Sequence, residues 1–225
     1  MTMVEEKKDD ILSKGAIVQR DYETYAIAPH LTGGLCTPEQ LRKLADVAEK
    51  HGVKAMKLTS AQRIALVGIP EGEIDNVWAD LGMPPGHAIG LCVRSIKFCP
   101  GTTFCRRGQQ DAVGLGMELD KRYHGYELPS KFKIGVSGCG NSCGESWVKE
   151  LGFIGMPKGW KVVVGGCAGA QPRIAQELIK DITTEEALDI ARKVMDYYKN
   201  SGATKRLGKH LETVGFDDLK QKVLG

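Results

Sequence analysis

Two pairs of cysteines carry the most specific chemistry in the sequence. FCPGTTFCRRG (98–108) places Cys99 and Cys105 with five residues between them, and VSGCGNSCGES (136–146) places Cys139 and Cys143 with three. Four thiols in two close pairs can close one tetradentate metal site. A cubane 4Fe-4S cluster takes four thiolates and is tuned by N–H···S hydrogen bonds from the surrounding backbone. Gly138, Gly140 and Gly144 suit that demand, since glycine lets the backbone wrap closely. Structural zinc favours tighter pairs, from C-x2-C to C-x4-C, so x5 followed by x3 fits it less well. A Cys99–Cys105 disulfide is sterically allowed but out of place in a reducing compartment. The spacing and the glycines favour the cluster, with zinc and inert or bridged thiols as the alternatives.

The remaining composition sets the context for these thiols. A chain of 225 residues supports one large domain or two small ones. Hydrophobic residues make up 42% and charged residues 26%, ordinary globular usage that suggests neither disorder nor a membrane span. A formal charge of +3 is too small to imply nucleic acid, and no apolar run approaches the ~20 residues of a spanning helix. MTMVEEKKDDILSKG has no apolar core of a signal peptide, and seven cysteines are an odd number. A cytoplasmic protein using thiols for metal or redox chemistry is expected. Cys36, Cys92 and Cys167 stand outside the two pairs and read as small buried hydrophobes.

The elements that must position the cysteines follow from periodicity. DYETYAIAPH (21–30) reads as a strand, and Thr37 with Gln40 forms a capping box around Pro38, opening a helix that ends at Gly52. VKAMKLTS and RIALVGI read as strands, and EGEIDNVWADLG reads as a second helix. Residues 20–82 thus suggest a β-α-β-β-α, ferredoxin-like half. After the linker MPPGHAIG come the first cysteine pair, a helix through about 124 and a strand KFKIGVS. The second pair follows, then a strand KVVVGG and a helix around RIAQELIK. A helix capped by Thr183 and Glu186 and two shorter ones finish the chain. Along KFKIGVS, period-two alternation sets Lys131 and Lys133 on one strand face, opposite the apolar residues. GLGMELD lacks the full G-x-G-x-x-G pattern and its strand, so no dinucleotide site is expected.

CPGTTFC and SGCGNSCG resemble the signature of the siroheme and 4Fe-4S sulfite and nitrite reductases. HLTGGLCTPEQLRKLADVAEKHG with KLTSAQRIALVGI, and later VKELGFIG and VVVGGCAG, extend the resemblance over roughly residues 25–180. It implies an α+β protein: a ferredoxin-like N-terminal half (1–88), an α/β half binding siroheme and the 4Fe-4S cluster (89–180) and a C-terminal helical segment (181–225). It also implies that Cys99, Cys105, Cys139 and Cys143 ligate the cluster, with Cys143 bridging to the siroheme iron. Asn141 lies within the same cofactor-binding motif. The reaction so implied is the six-electron reduction of sulfite to sulfide, or of nitrite to ammonia, fed by an external donor such as a ferredoxin or a flavoprotein; the alternative is a non-catalytic iron–sulfur electron carrier or redox sensor that retains the cluster. The single repeat suits a homodimer or an open-sided monomer.

In LPSKFK, Lys131 and Lys133 match the family's paired lysines, which bind the oxyanion and support proton delivery. Where the family has R-L-P-G-G the chain has His30-Leu-Thr-Gly-Gly, and where it has R-L-T-x-R-Q the chain has Lys57-Leu-Thr-Ser-Ala61-Gln, with Arg63 two residues on. His30, Lys57 and Arg63 are the corresponding oxyanion candidates. His and Lys grip an oxyanion less rigidly than the two-pronged Arg fork. Arg94, Lys97, Arg106 and Arg107 bracket the first pair and suit either siroheme carboxylates or an acidic donor protein. Gly165 and Gly166 suit a close backbone approach to the cofactor or a tight turn alone.

Overall fold

The computed structural model describes residues 7–225, so the reading of an absent export signal falls partly outside the described residues. The chain divides into two compact units, residues 1–90 and 91–225.

In the first unit the elements are β1 (Ile17–Val18), β2 (Thr24–Ile27), α1 (Pro38–Lys50), β3 (Ala55–Leu58), β4 (Ile64–Pro70) and α2 (Ile74–Leu81). The strands form one antiparallel sheet in the order β1-β2-β4-β3. The expected capping box opens α1: Gln40 N donates to Thr37 Oγ1 (3.1 Å) and Thr37 N to Gln40 Oε1 (2.9 Å). Leu44 and Val47 of α1 and Ile74, Val77 and Leu81 of α2 pack with Tyr25, Ile27, Leu66 and Ile69 of the sheet in one core. Edge strand β3 is exposed along its whole length, with Leu58 74% accessible. The short β1 lies in the polar leader and has no signal in the sequence, because two residues carry no periodicity.

The second unit contains β5 (Lys97–Phe98), the single turn α3 (Gly101–Phe104), α4 (Ala112–Tyr123), β6 (Ile134–Ser137), β7 (Leu151–Met156), β8 (Gly159–Val164), β9 (Gln176–Ile182), α5 (Thr184–Asn200), α6 (Leu207–Val214) and α7 (Phe216–Leu224). Its mixed sheet has the order β5-β6-β7-β8-β9, parallel through β7 and antiparallel beyond. Parallel neighbours need crossover connections. The cysteines use both crossovers: the first pair lies between β5 and β6, the second between β6 and β7. Phe132, Ile134, Val136, Leu151, Phe153, Trp160 and Val162 share one core with Leu119 of α4, Tyr198 of α5, Leu207 of α6 and Leu219 of α7.

Two expectations are corrected. RIAQELIK is not a helix, and β9 pairs with β8 through Trp160↔Ile182, Val162↔Ile179, Val163↔Glu177 and Val164↔Gln176. Register shifts interrupt this ladder, and Asp181 takes a left-handed φ of 60°. The irregularity leaves Leu178 and Ile182 buried four residues apart, a spacing that imitates one helix face. The KFKIGVS strand is shorter than expected, because ladder pairing begins at Ile134. Ahead of it Phe132 forms only an isolated bridge with Val93, and the Lys133 amide bonds to a carboxylate instead of a strand. All four residues of β6 are buried, as befits a central strand.

Candidate functional site

Strand β5 delivers Cys99, whose amide donates to Val136 O of β6 (3.1 Å). Pro100 and Gly101 then turn the chain into α3, and the Cys105 amide closes that turn on Gly101 O (3.0 Å). On the neighbouring strand, β6 runs out into Gly138 and Cys139. The two cysteine loops meet at Gly138. Its carbonyl accepts from the amides of Gln109 (2.7 Å) and Gln110 (3.0 Å), and its own amide donates to Cys99 Sγ (3.1 Å). A Cβ on Gly138 would stand 2.6 Å from Gly101 Cα, so the approach is glycine backbone against glycine backbone.

Cys99, Cys105 and Cys139 are partly buried, Cys143 is exposed, and all are free thiols. Among the described residues no three His, Cys, Asp or Glu side chains are gathered tightly enough to share one metal ion. A 4Fe-4S cube takes each thiolate at a separate iron. Four unbridged thiols on two apposed loops, one already accepting a backbone N–H, are a donor set that fits a 4Fe-4S cluster.

The second loop is held in a demanding conformation. Ser142 and Glu145 both lie in the left-handed region, with φ of 54° and 58°. Such backbone persists only where its surroundings impose it. The Gly144 amide donates to Ser137 Oγ (2.9 Å), while buried Ser146 Oγ lies 2.8 Å from Ser137 Oγ and donates to Phe153 O (2.9 Å). Glu145 is pinned from two sides, by Lys97 Nζ (2.5 Å) and Lys149 Nζ (2.8 Å). Burial pushes the Glu145 carboxyl up, but the hydrogen bonds and charges of these lysines prevail and leave it below the ordinary range.

Beside this loop lies a second polar centre. Glu150 has no exposed surface, and its Oε2 accepts from the Lys133 amide (2.9 Å) while Oε1 accepts from Arg206 Nε (2.5 Å). Burial raises the Glu150 pKa, opposed mainly by Arg206. Burial also lowers the pKa of Lys133, assisted by the like charges of Lys149 and Arg206, and burial likewise lowers that of Arg94.

The structure sorts the sequence-derived candidates. Arg94 is 9% accessible, Lys97 is ion-paired to Glu145, Lys133 is half-buried, and Lys131 is exposed. Arg106 and Arg107 form an exposed turn after Cys105, and Asn141 is exposed between Cys139 and Cys143. Gly165 has a φ of 92°, and a Cβ on Gly166 would stand 2.5 Å from Trp147 O, so backbone packing accounts for Gly166. In the first unit Lys57 is exposed on β3, His30 Nε2 lies 3.1 Å from Thr32 Oγ1, and buried Arg63 donates through Nη1 to Gly86 O (2.7 Å). Cys92 and Cys167 are buried as expected, whereas Cys36 is exposed, in the loop just before the Thr37 cap. Glu145, Lys149, Glu150 and Arg206 were not anticipated. Lys149 and Glu150 had one sequence signal, a charged pair set directly against the apolar run LGFIG.

Residues 89–225 match the nitrite and sulphite reductase 4Fe-4S domain, and residues 17–83 match the nitrite/sulfite reductase ferredoxin-like half domain. An assimilatory-type sulfite reductase of Nitratidesulfovibrio vulgaris is 43% identical over 94% of this chain and 98% of that protein. An NAD(P)H nitrite reductase of Bacillus subtilis is 39% identical over 91% of this chain but only 26% of its own length. Dissimilatory sulfite reductase I superposes with a TM-score of 0.80 at 16% identity, covering 89% of this chain and 69% of that one. The NirA protein of Mycobacterium tuberculosis gives a TM-score of 0.77 at 19% identity, covering 89% and 40%. These two establish the shared α+β fold. With both of its units matched, and a relative aligned over nearly its full length, the chain belongs to the nitrite and sulfite reductase family of iron–sulfur oxidoreductases.

Proposed function

We propose that the protein reduces sulfite to sulfide, with nitrite to ammonia as an additional reaction, using siroheme and a 4Fe-4S cluster. The observation that carries this reading is the near full-length match to an assimilatory-type sulfite reductase, in a chain whose two cysteine loops are apposed at Gly138. Cys99, Cys105, Cys139 and Cys143 would hold the cluster, and Cys143 would bridge it to siroheme. Together these groups would relay electrons from the donor and supply the iron centre for the reduction. Electrons come from an external donor such as a ferredoxin or a flavoprotein, the setting is cytoplasmic, and a homodimer is the proposed assembly.

The chain's own contribution is charge, geometry and protons. Lys131 and Lys133 attract an anionic substrate and offset the negative charge that builds on its oxygens. Lys133 Nζ, with its pKa lowered chiefly by burial, releases a proton more readily than an ordinary lysine and suits a general acid. Arg94, Arg106 and Arg107 are assigned to siroheme carboxylates, with Asn141 and Gly165 as the polar and backbone contacts, whereas Lys97 is taken up by Glu145 and Gly166 by backbone packing. In the N-terminal unit His30 and Lys57 are assigned to the oxyanion. Arg63 donates to the Gly86 carbonyl within the same unit.

Anaerobic purification tests this reading through an absorption spectrum, iron and acid-labile sulfide analysis, and sulfite reduction with a chemically reduced viologen. A Soret band with a long-wavelength siroheme band, about four cluster irons plus one siroheme iron per chain, and sulfide production are expected. A colourless zinc protein, or a cluster without siroheme, would overturn it.

A further inference from the structure

Glu150 is a fully buried carboxylate to which the mechanism above assigns no task. Its Oε2 receives the Lys133 amide at 2.9 Å, and its Oε1 receives Arg206 Nε at 2.5 Å, with Arg206 Nη2 making a second contact to the same oxygen. Its backbone carbonyl accepts from the Gly165 amide (2.9 Å). A Cβ on Gly208, in the first turn of α6, would run into the Gly165 carbonyl, so α6 packs directly on the segment that Glu150 secures. Arg206 is itself the residue that precedes α6. A parallel link runs through α5: Tyr198 packs against Phe132 with ring centroids 5.7 Å apart, and its hydroxyl donates to Lys205 O (2.7 Å). One carboxylate therefore ties the segment carrying Lys133 to the entrance of a C-terminal helix 73 residues further on.

We propose that Glu150 is a positioning residue for the anion site: it clamps the Lys133 segment to Arg206 and acts as the internal countercharge for the surrounding cations. The groups facing it are Arg206, Lys133 and Tyr198; Lys149 and Lys131 act on Lys133, and Arg94 lies against Arg206. Without a carboxylate there, like charges alone would surround Lys133 Nζ, and its ammonium would be harder to keep. The C-terminal helices thus belong to the working site. The functional weight of this arrangement rests on the role proposed for Lys133, whereas both readouts below are independent of turnover.

The first readout is the pH dependence of Lys133 acetylation by a trace of acetic anhydride, followed by mass spectrometry on the purified full-length protein. In Glu150→Gln the Lys133 titration should move down by about half a pH unit or more, because a nearby negative charge has been removed. In Lys149→Met it should move up, because a like charge has been removed. A Lys133 titration that does not respond to Glu150→Gln overturns the countercharge. The second readout is hydrogen exchange in Arg206→Lys, which keeps the charge but loses the fork and stands in should Glu150→Gln fail to fold. The Lys133 amide should exchange at least about tenfold faster in this variant. Wild-type protection at Lys133 overturns the clamp.

Discussion

Replacing Gly138 by Ala perturbs a point where the two cysteine loops meet. Its φ is not left-handed, so the added methyl acts through space alone. The new Cβ would lie 2.6 Å from Gly101 Cα and 2.9 Å from Gln110 O, against a comfortable separation of about 3.5–4.0 Å. Both neighbours are backbone, and Gln110 is held by its own amide bond to Gly138 O (3.0 Å), so neither yields as a flexible side chain would. Overpacking of this kind costs roughly 1–3 kcal/mol. At one factor of ten per ~1.4 kcal/mol, that is about 5–150-fold fewer molecules with the loops apposed. Thermal melts of the metal-free protein should fall by about 2–4 °C per kcal/mol, and iron and acid-labile sulfide per chain should fall with them. Gly140→Ala is the control. It sits in the same loop with open space around its Cβ and no left-handed φ, and should melt within about 1 kcal/mol of wild type. If the two variants melt alike and Gly138→Ala keeps full iron, the loops are not joined through this contact.

Cys143→Ser should lose cluster and siroheme together, and normal occupancy of both would dismiss the bridging assignment. Lys133→Ala should lower sulfite turnover by about 10²-fold or more while the absorption spectrum is retained; unaltered steady-state kinetics would rule out its role as acid. Ser146→Ala removes a buried hydroxyl bonded to Phe153 O and Ser137 Oγ and should destabilise the protein by about 1–3 kcal/mol in denaturant titrations. Hydrogen bonds from Thr24 and Glu23 depress the Asp21 pKa from 3.8 to about 2. Its contribution is therefore complete above pH ~4 and fades as pH falls towards about 2. Asp21→Asn should flatten the acid limb of the stability curve in that window, and an unchanged limb would contradict the assignment.

Local signals determined a large part of this protein. The Thr37–Gln40 and Thr183–Glu186 boxes open helices where the sequence places them, because capping is settled within four residues. From β2 onward the strand, helix and hairpin order of the first unit is legible in its periodicity, and the cysteine motifs point to the family that both matched domains show. RIAQELIK reads as a helix because Ala175, Leu178 and Ile179 recur at helical spacing, and only pairing with β8 shows it to be an edge strand.

Tertiary structure alone decided which charges are free and which are committed. Lys97 and Arg63 look like ligands in the sequence, yet one is engaged by Glu145 and the other by the Gly86 carbonyl. Arg206 lies far along the chain from Lys133, and only folding brings it to the carboxylate that the Lys133 amide also binds. Capping and spacing are properties of a few consecutive residues, so the sequence displays them. The desolvation of Glu150 and the company of cations around it are properties of a packed core assembled from distant segments, and no local pattern records them.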